Sequence, residues 1–388
     1  MSVGTGQPAD AGPAARRGER LRAELAAARL ECVVLSTPES VHYATGHRSL
    51  TASLSRGAQI AAVVTPSRTV LIVPAGEAAA AEEGGREADE LVTFGEFYFT
   101  HADGSATSGD HPDLSSALEA VLAAPGRSRP AAEWAGFART GRPAALADAS
   151  GADGWIAAVR SVKLPGEQEL LRTAARLAEQ GIEAALGQAA AGVTERELAA
   201  AVAGAMVAGG GEPRFVVVTS GERSALSDAF PTDRACRPGD LVRFDVGCTY
   251  QGYWSDVART AVVGEPTGRQ QRFYDALATG QDAEFATATP GARAGDVFAA
   301  AVRGVEANGG PLPYRRQHAG HAIGLSVYET PLIASGIETV LRPGMVFCLE
   351  TPYYELGWGG MMVEDTGVVT EHGFELFTTM DRGLRVIP

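Results

Sequence analysis

The stretch RPGDLVRFD, Arg237 to Asp245, returns later in the chain as RPGMVFCLE, Arg342 to Glu350. Each opens with a Pro-Gly turn signal, runs into an apolar strand, and ends on a carboxylate six residues after the glycine. Gly- and aromatic-rich turn chemistry follows both. A return strand then carries a further acid, Asp256 after the first and Glu364 after the second. A Pro-Gly turn recurs easily by chance; the same offset to an acid inside an apolar strand recurs much less easily. Two hairpins of one design predict a pseudo-symmetric sheet on which the acids converge. Strand parity puts Arg243 and Asp245 on a common face, and Cys348 and Glu350 likewise.

An unpaired buried carboxylate is costly, so these acids must be protonated, salt-bridged or metal-bound. Ion pairs with Arg243, Arg259 and Arg342 would account for one or two of Asp245, Asp256, Glu350 and Glu364, not for all of them. His321 lies among small residues and glycine in QHAGHAIGLSVYETP, Gln317 to Pro331. A lone histidine is more often a satisfied core residue, but the neighbouring acids reverse that balance. Four carboxylates and one imidazole make a hard, oxygen-rich donor set. It suits Mn²⁺, Fe²⁺, Co²⁺ or Zn²⁺, with room for two ions if carboxylates bridge.

At 388 residues the chain is long enough for two domains. Residues 1–15, rich in Gly, Ala and Pro, read as a disordered tail. Residues 16–160 read as an α/β domain: a helix over 16–30, a strand in ECVVLST, a hairpin around Pro66-Ser67, a strand in VTFGEFYF, a polar loop THADGSATSGDHPD, and a helix in DLSSALEAVLAA. Lys163-Leu164-Pro165-Gly166 breaks the chain and a long Ala/Leu helix follows, so the second domain is set at 161–388. TERELAAAVAGAMVAGG carries a Thr-x-x-Glu cap signal. Two more helices are expected over 269–289 and 295–308.

The formal charge of −14 argues against a nucleic-acid partner and against anionic membranes. No run of eighteen apolar residues exists to span a bilayer, and no export signal is evident. The four cysteines form no CxxC pair and read as buried free thiols, which points to a cytoplasmic protein.

FDVGCTYQGYWSDVART, GHAIGL, CLETP and VEDTG resemble the signature segments of the pita-bread metallopeptidases: Xaa-Pro aminopeptidase, prolidase and methionine aminopeptidase, with creatinase as a relative. LECVVLSTPESVHYATG resembles the N-terminal domain of the creatinase/prolidase type. The resemblance implies an α/β N-terminal domain followed by an α+β pita-bread domain with a pseudo-two-fold, curved antiparallel sheet. It implies a centre of two divalent metal ions on Asp245, Asp256, His321, Glu350 and Glu364, with Glu350 also as proton shuttle, and a homodimer.

The substrate side departs from that pattern. Where the family places histidines, this chain has Asp228, Gln317 (with His318 one place off) and Tyr328, and where its proline-specific branches place an arginine it has Met362. Asp228 could bind a cationic group or be a plain turn residue. Tyr328 could donate a hydrogen bond to an oxyanion or simply pack. The expectation is a metal-dependent hydrolase with an altered pocket, cleaving an amide or other C–N bond in a small peptide or small polar metabolite. The alternatives are a conventional Xaa-Pro dipeptidase or aminopeptidase, a metal-dependent lyase, and a non-catalytic binding protein.

Overall fold

The computed structural model describes residues 13–55, 57–84, 87–100, 102–104, 106–123 and 130–388. The chain divides into two compact units, Met1–Arg160 and Ser161–Pro388. Residues 1–12 of the expected tail lie outside the described residues, and 13–15 already belong to the first helix.

In the first unit, α1 (Pro13–Ala27), α2 (Pro38–Thr45), α3 (Leu50–Leu54), α4 (Ala78–Glu83), α5 (Leu114–Leu122) and α6 (Asp153–Ser161) accompany a mixed sheet. Its strands are β1 (Val33–Leu35), β2 (Ala61–Val64), β3 (Thr69–Pro74) and β4 (Glu90–Phe94), with β7 (Ala131–Ala132) and β8 (Ser150–Gly151), in the order β4-β3-β2-β1-β7-β8. The single strand expected in VTFGEFYF is instead two, because Gly95 takes a φ of 74° and turns the chain between β4 and β5 (Glu96–Thr100). The loop expected after it contributes β6 (Ala106–Ser108), which pairs with β5.

The second unit opens with α7 (Pro165–Leu186), whose proline sits in the first turn where its missing N–H costs nothing. α8 (Glu195–Ala208) starts at a reciprocal cap between Thr194 and Glu197. Then come β9 (Glu212–Ser220), β10 (Leu241–Tyr250), β11 (Tyr253–Trp254), β12 (Val257–Val263), α9 (Gly268–Thr287) and α10 (Ala294–Ala307). The chain closes with β13 (Gly320–Ala322), β14 (Glu329–Leu332), β15 (Val346–Glu350), β16 (Tyr353–Glu355), β17 (Gly359–Met361), β18 (Glu364–Thr370), β19 (Gly373–Leu376) and β20 (Arg385–Ile387). The main sheet runs β11-β10-β12-β18-β15-β13-β14, with β9 joined to β10, β19 to β18, and β20 to β12.

The sequence echo is a structural one. Gly239 and Gly344 both turn with a φ of 87°, ahead of β10 and β15. β10 pairs antiparallel with β12 and β15 with β18, and β12 and β18 meet each other at Ala258 and Glu364. The period of two then sorts the side chains. On β10, Val242, Phe244 and Val246 pack against Leu177, Ile182, Leu198, Val202 and Met206 of α7 and α8. On β15, Phe347 and Leu349 pack against Val297 and Ala301 of α10. Fully burying each such side chain contributes roughly 1.5–3 kcal/mol. The intervening residues, Arg243 and Asp245 on β10 and Cys348 and Glu350 on β15, are thereby committed to the opposite face.

Candidate metal centre

That opposite face gathers all of the acids expected from the sequence. Asp245 lies opposite Ala258 in the β10–β12 ladder, and Glu350 lies opposite Glu364 in the β15–β18 ladder. Asp256 immediately precedes β12, and His321 lies opposite Cys348 at the next strand boundary. Gly320 permits that close approach: a Cβ there would sit 2.3 Å from the Cys348 carbonyl oxygen. His321 Nε2 stands 3.5 Å from Asp256 Oδ2 and 3.9 Å from Glu364 Oε1. A proton on Nδ1 satisfies the Ala322 carbonyl at 3.2 Å and leaves the Nε2 lone pair facing the acids.

Donor atoms fall into two overlapping groups, Asp245/Asp256/Glu364 and His321/Cys348/Glu364, each within 4.8 Å. Glu364 belongs to both. Cys348 was placed by strand parity but not as part of a donor set. Its thiol is buried against the Asp256 carbonyl and Thr366 Oγ1, and burial pushes its pKa well above the usual value.

Among the described residues, arginine ion pairs reach only Asp245 and Glu350 of these acids, and Asp256 and Glu364 face the His321 imidazole. Arg243, fully buried, donates to Asp245 Oδ2 at 2.8 Å. Arg259 pairs instead with Asp365, on the other side of β18, and Arg342 is exposed. Asp256 Oδ1 and Glu364 Oε2 are buried with no hydrogen-bond partner. Burial raises the Asp245 carboxyl to about 7, against the opposing pull of Arg243. Burial also raises Asp256, and burial with the charges of Asp256 and Glu350 raises Glu364 well above the carboxylate range. Orphaned carboxylate oxygens crowded around one imidazole form a set that divalent cations would satisfy.

Glu350 differs. Burial alone would raise its carboxyl, but His318 and Arg316 bring it below the usual range. His318 Nδ1 lies 2.8 Å from Glu350 Oε1, close enough for an ionic contact but without hydrogen-bond alignment. Arg316 Nη2 lies 3.5 Å from the same oxygen.

A cavity of about 830 Å³ opens onto this face, a size ordinary for a small-ligand site. Asp228 lines it, exposed, accepting from Ser227 Oγ at 3.0 Å. Gln317 is exposed at its edge, and His318 reaches further in. Tyr328 lies over His321, ring centroids 4.0 Å apart. Burial and the surrounding acids raise its phenol pKa. Met362 lies against Arg243, whose Nη1 is 4.0 Å from the sulfur. Arg316 and Tyr354 also line the cavity; sequence reasoning passed over both, although Arg316 sits beside the Gln317-His318 pair.

Residues 169–371 match the model of Metallopeptidase family M24, and residues 17–131 match that of the Creatinase/Prolidase N-terminal domain. An Xaa-Pro dipeptidase of Pyrococcus horikoshii is 36% identical over 234 residues, which are 60% of this chain and 66% of that protein. A probable dipeptidase PepE of Mycobacterium tuberculosis is 41% identical over 199 residues, 51% of this chain and 53% of that one. The crystal structure of the prolidase from Pyrococcus horikoshii superposes with a TM-score of 0.79 at 28% identity, covering 95% of this chain and 99% of that one.

Proposed function

Because the chain belongs to metallopeptidase family M24, we propose that it hydrolyses the amide bond of short peptides, Xaa-Pro dipeptides first among them. Asp245, Asp256, His321, Glu350 and Glu364 would hold the divalent ions, two if Glu364 is shared between the donor groups. The observation that carries this is the pair of donor groups meeting at Glu364, with buried oxygens that no protein group satisfies. The relatives named as Xaa-Pro dipeptidases favour the substrate class.

Divalent ions in such a site supply Lewis acidity and lower the pKa of water. The remaining work falls to side chains. Glu350, held ionised by His318 and Arg316, accepts the proton of the attacking water and passes it to the leaving amine. Tyr328 offers its hydroxyl to the oxygen that gains charge. Asp228, at the cavity edge, is placed to meet a substrate ammonium group. Manganese, a cytoplasmic location and a homodimer belong to the same reading.

A second reading takes a small polar non-peptide substrate. It is favoured by Asp228 and Tyr328 in the cavity wall and by Arg243 lying against Met362. Turnover of Ala-Pro and Gly-Pro by Mn²⁺-loaded protein, against a Glu350→Ala control, separates the two. Turnover above the control supports the dipeptidase; metal uptake with no peptide cleavage favours the second.

A further inference from the structure

The two donor groups of the centre differ in chemistry. Asp245, Asp256 and Glu364 offer oxygen alone, whereas His321, Cys348 and Glu364 offer nitrogen, sulfur and oxygen. At this spacing Glu350 belongs to neither group, its Oε1 lying 2.8 Å from His318 Nδ1. The third donor on the His321 side is therefore a thiol.

Strand register puts it there. Cys348 stands directly across from His321 in the β13–β15 ladder and from Thr366 in the β15–β18 ladder. Residues opposite each other in an antiparallel pair point to one face, here the face of the acids. Cys248 on β10 goes the other way, into the apolar packing of Leu177, Leu198 and Val246.

A buried cysteine ordinarily behaves as a small apolar residue with an inert thiol. The surroundings of Cys348 are polar instead. Its sulfur, a weak hydrogen-bonding atom, lies 3.7 Å from the Asp256 carbonyl and 3.3 Å from Thr366 Oγ1. After burial, the charges that act most on the thiol are those of Glu364 and Asp256. These are the two acids that each have a buried oxygen without a partner. A divalent ion among them inverts the local balance: it offsets the acids and takes the place of the thiol proton, which leaves to solvent. Zinc bonds of about 2.3 Å to sulfur and about 2.0–2.1 Å to nitrogen together span about 4.4 Å. The donor atoms of this group already lie within 4.8 Å of one another.

We propose that Cys348 is a metal ligand, and that it makes the His321 side of the centre a site for a thiophilic ion, Zn²⁺ or Co²⁺. The oxygen-only side then suits a hard ion such as Mn²⁺, because thiolate and imidazole select zinc and cobalt where carboxylates accept manganese. This rests on the reading above that the centre holds divalent ions.

The test adds Co²⁺ to the metal-free full chain, as wild type, Cys348→Ser, Cys348→Ala and Cys248→Ser. It reads the near-ultraviolet charge-transfer absorption of a thiolate–cobalt bond. Competitive dialysis of Zn²⁺ against Mn²⁺, followed by elemental analysis, runs in parallel. The band should grow with the binding of one ion in wild type and Cys248→Ser, and be missing from both Cys348 variants. In those variants the preference for Zn²⁺ over Mn²⁺ should fall more than about 100-fold, beyond the cost of losing a residue that only orients a ligand. Where spectrum and dialysis part, the spectrum decides. Cobalt bound without the band, or a band that Cys348→Ser keeps, would overturn the proposal and return Cys348 to packing, with the metal centre left standing. Binding of none of the three ions would overturn the metal-centre reading and this proposal together. If neither Cys348 variant folds, the wild-type and Cys248→Ser spectra decide, since these two cysteines are the thiols on the strands of the sheet: a band in both upholds the proposal, and its loss in either refutes it.

Discussion

Arg243 donates to Asp245 Oδ2 at 2.8 Å while its other neighbour at that nitrogen is the sulfur of Met362, 4.0 Å away. The same guanidinium donates to the carbonyls of Ser224, Leu226 and Ser227, and so ties the segment carrying Asp228 to the strand carrying Asp245. Arg243→Met would leave Asp245 and those carbonyls without their donor. Breaking one side of such a buried pair costs on the order of 3 kcal/mol. A lower urea midpoint of the metal-free protein is expected. The double variant Arg243→Met/Met362→Arg, which returns a cation to the same corner from the link between β17 and β18, should recover part of it. No recovery would mean that the carbonyl contacts, not the charge, set the effect.

Metal stoichiometry should follow the sharing of Glu364. Glu364→Ala removes a donor from both groups, whereas Asp245→Ala and His321→Ala each remove one from a single group. After equilibrium dialysis, elemental analysis should find the largest loss in Glu364→Ala and partial losses in the other two. Equal loss in all three would contradict two overlapping sites.

The raised carboxyls of the metal-free centre should take stability away as pH rises from about 4 to about 7. The Asp245 carboxyl is raised to about 7 when folded, and Asp256 and Glu364 are raised too. In that window these groups bind more protons folded than unfolded, so their contribution to the slope of stability against pH is negative, opposite in sign to that of His42, which burial and Arg17 lower to about 3. His321, also raised by Asp256 against the effect of burial, extends the fall above its ordinary value. Metal ions compete with those protons, so affinity should rise over the same window and loading should flatten the curve. Urea midpoints from pH 4 to 8, with and without Mn²⁺, measure both against the variant Asp245→Asn/Glu364→Gln; a metal-free protein whose curve falls no more than the variant's would refute the assignment.

Tyr328→Phe keeps the ring over His321 and removes only the hydroxyl. A donor to the developing oxyanion is worth about 10²-fold in kcat. Such a fall with unchanged metal content is expected from kinetics and elemental analysis together. An unaltered kcat would leave Tyr328 as packing against the imidazole.

Thr194→Ala serves as a test of stability apart from chemistry. Thr194 and Glu197 cap α8, behind the sheet, through reciprocal hydrogen bonds. Losing the cap should cost about 1 kcal/mol in urea unfolding with kcat unaltered.

Much of the second unit could be read from sequence because its cues are local and repeated. Pro-Gly turns, period-two strands and the Thr194 cap announce themselves within a few residues. The first unit was less legible. α2 and β6 are short, and Gly95 splits a run whose composition gives one continuous strand. Arg316 and Tyr354 were missed because neither stands out until the cavity is formed.

The sequence alone determined that acids recur at one offset in paired hairpins, since a strand's period of two fixes which side chains share a face. It could not decide which cation meets which acid. Arg243, Arg259 and Arg342 were all candidates along the chain, Arg259 the most strongly apolar-flanked of them. Only the packed sheet sends Arg243 to Asp245, Arg259 to Asp365 and Arg342 to solvent. That choice depends on register between strands remote in sequence, and it is what leaves Asp256 and Glu364 with buried oxygens for a cation to satisfy.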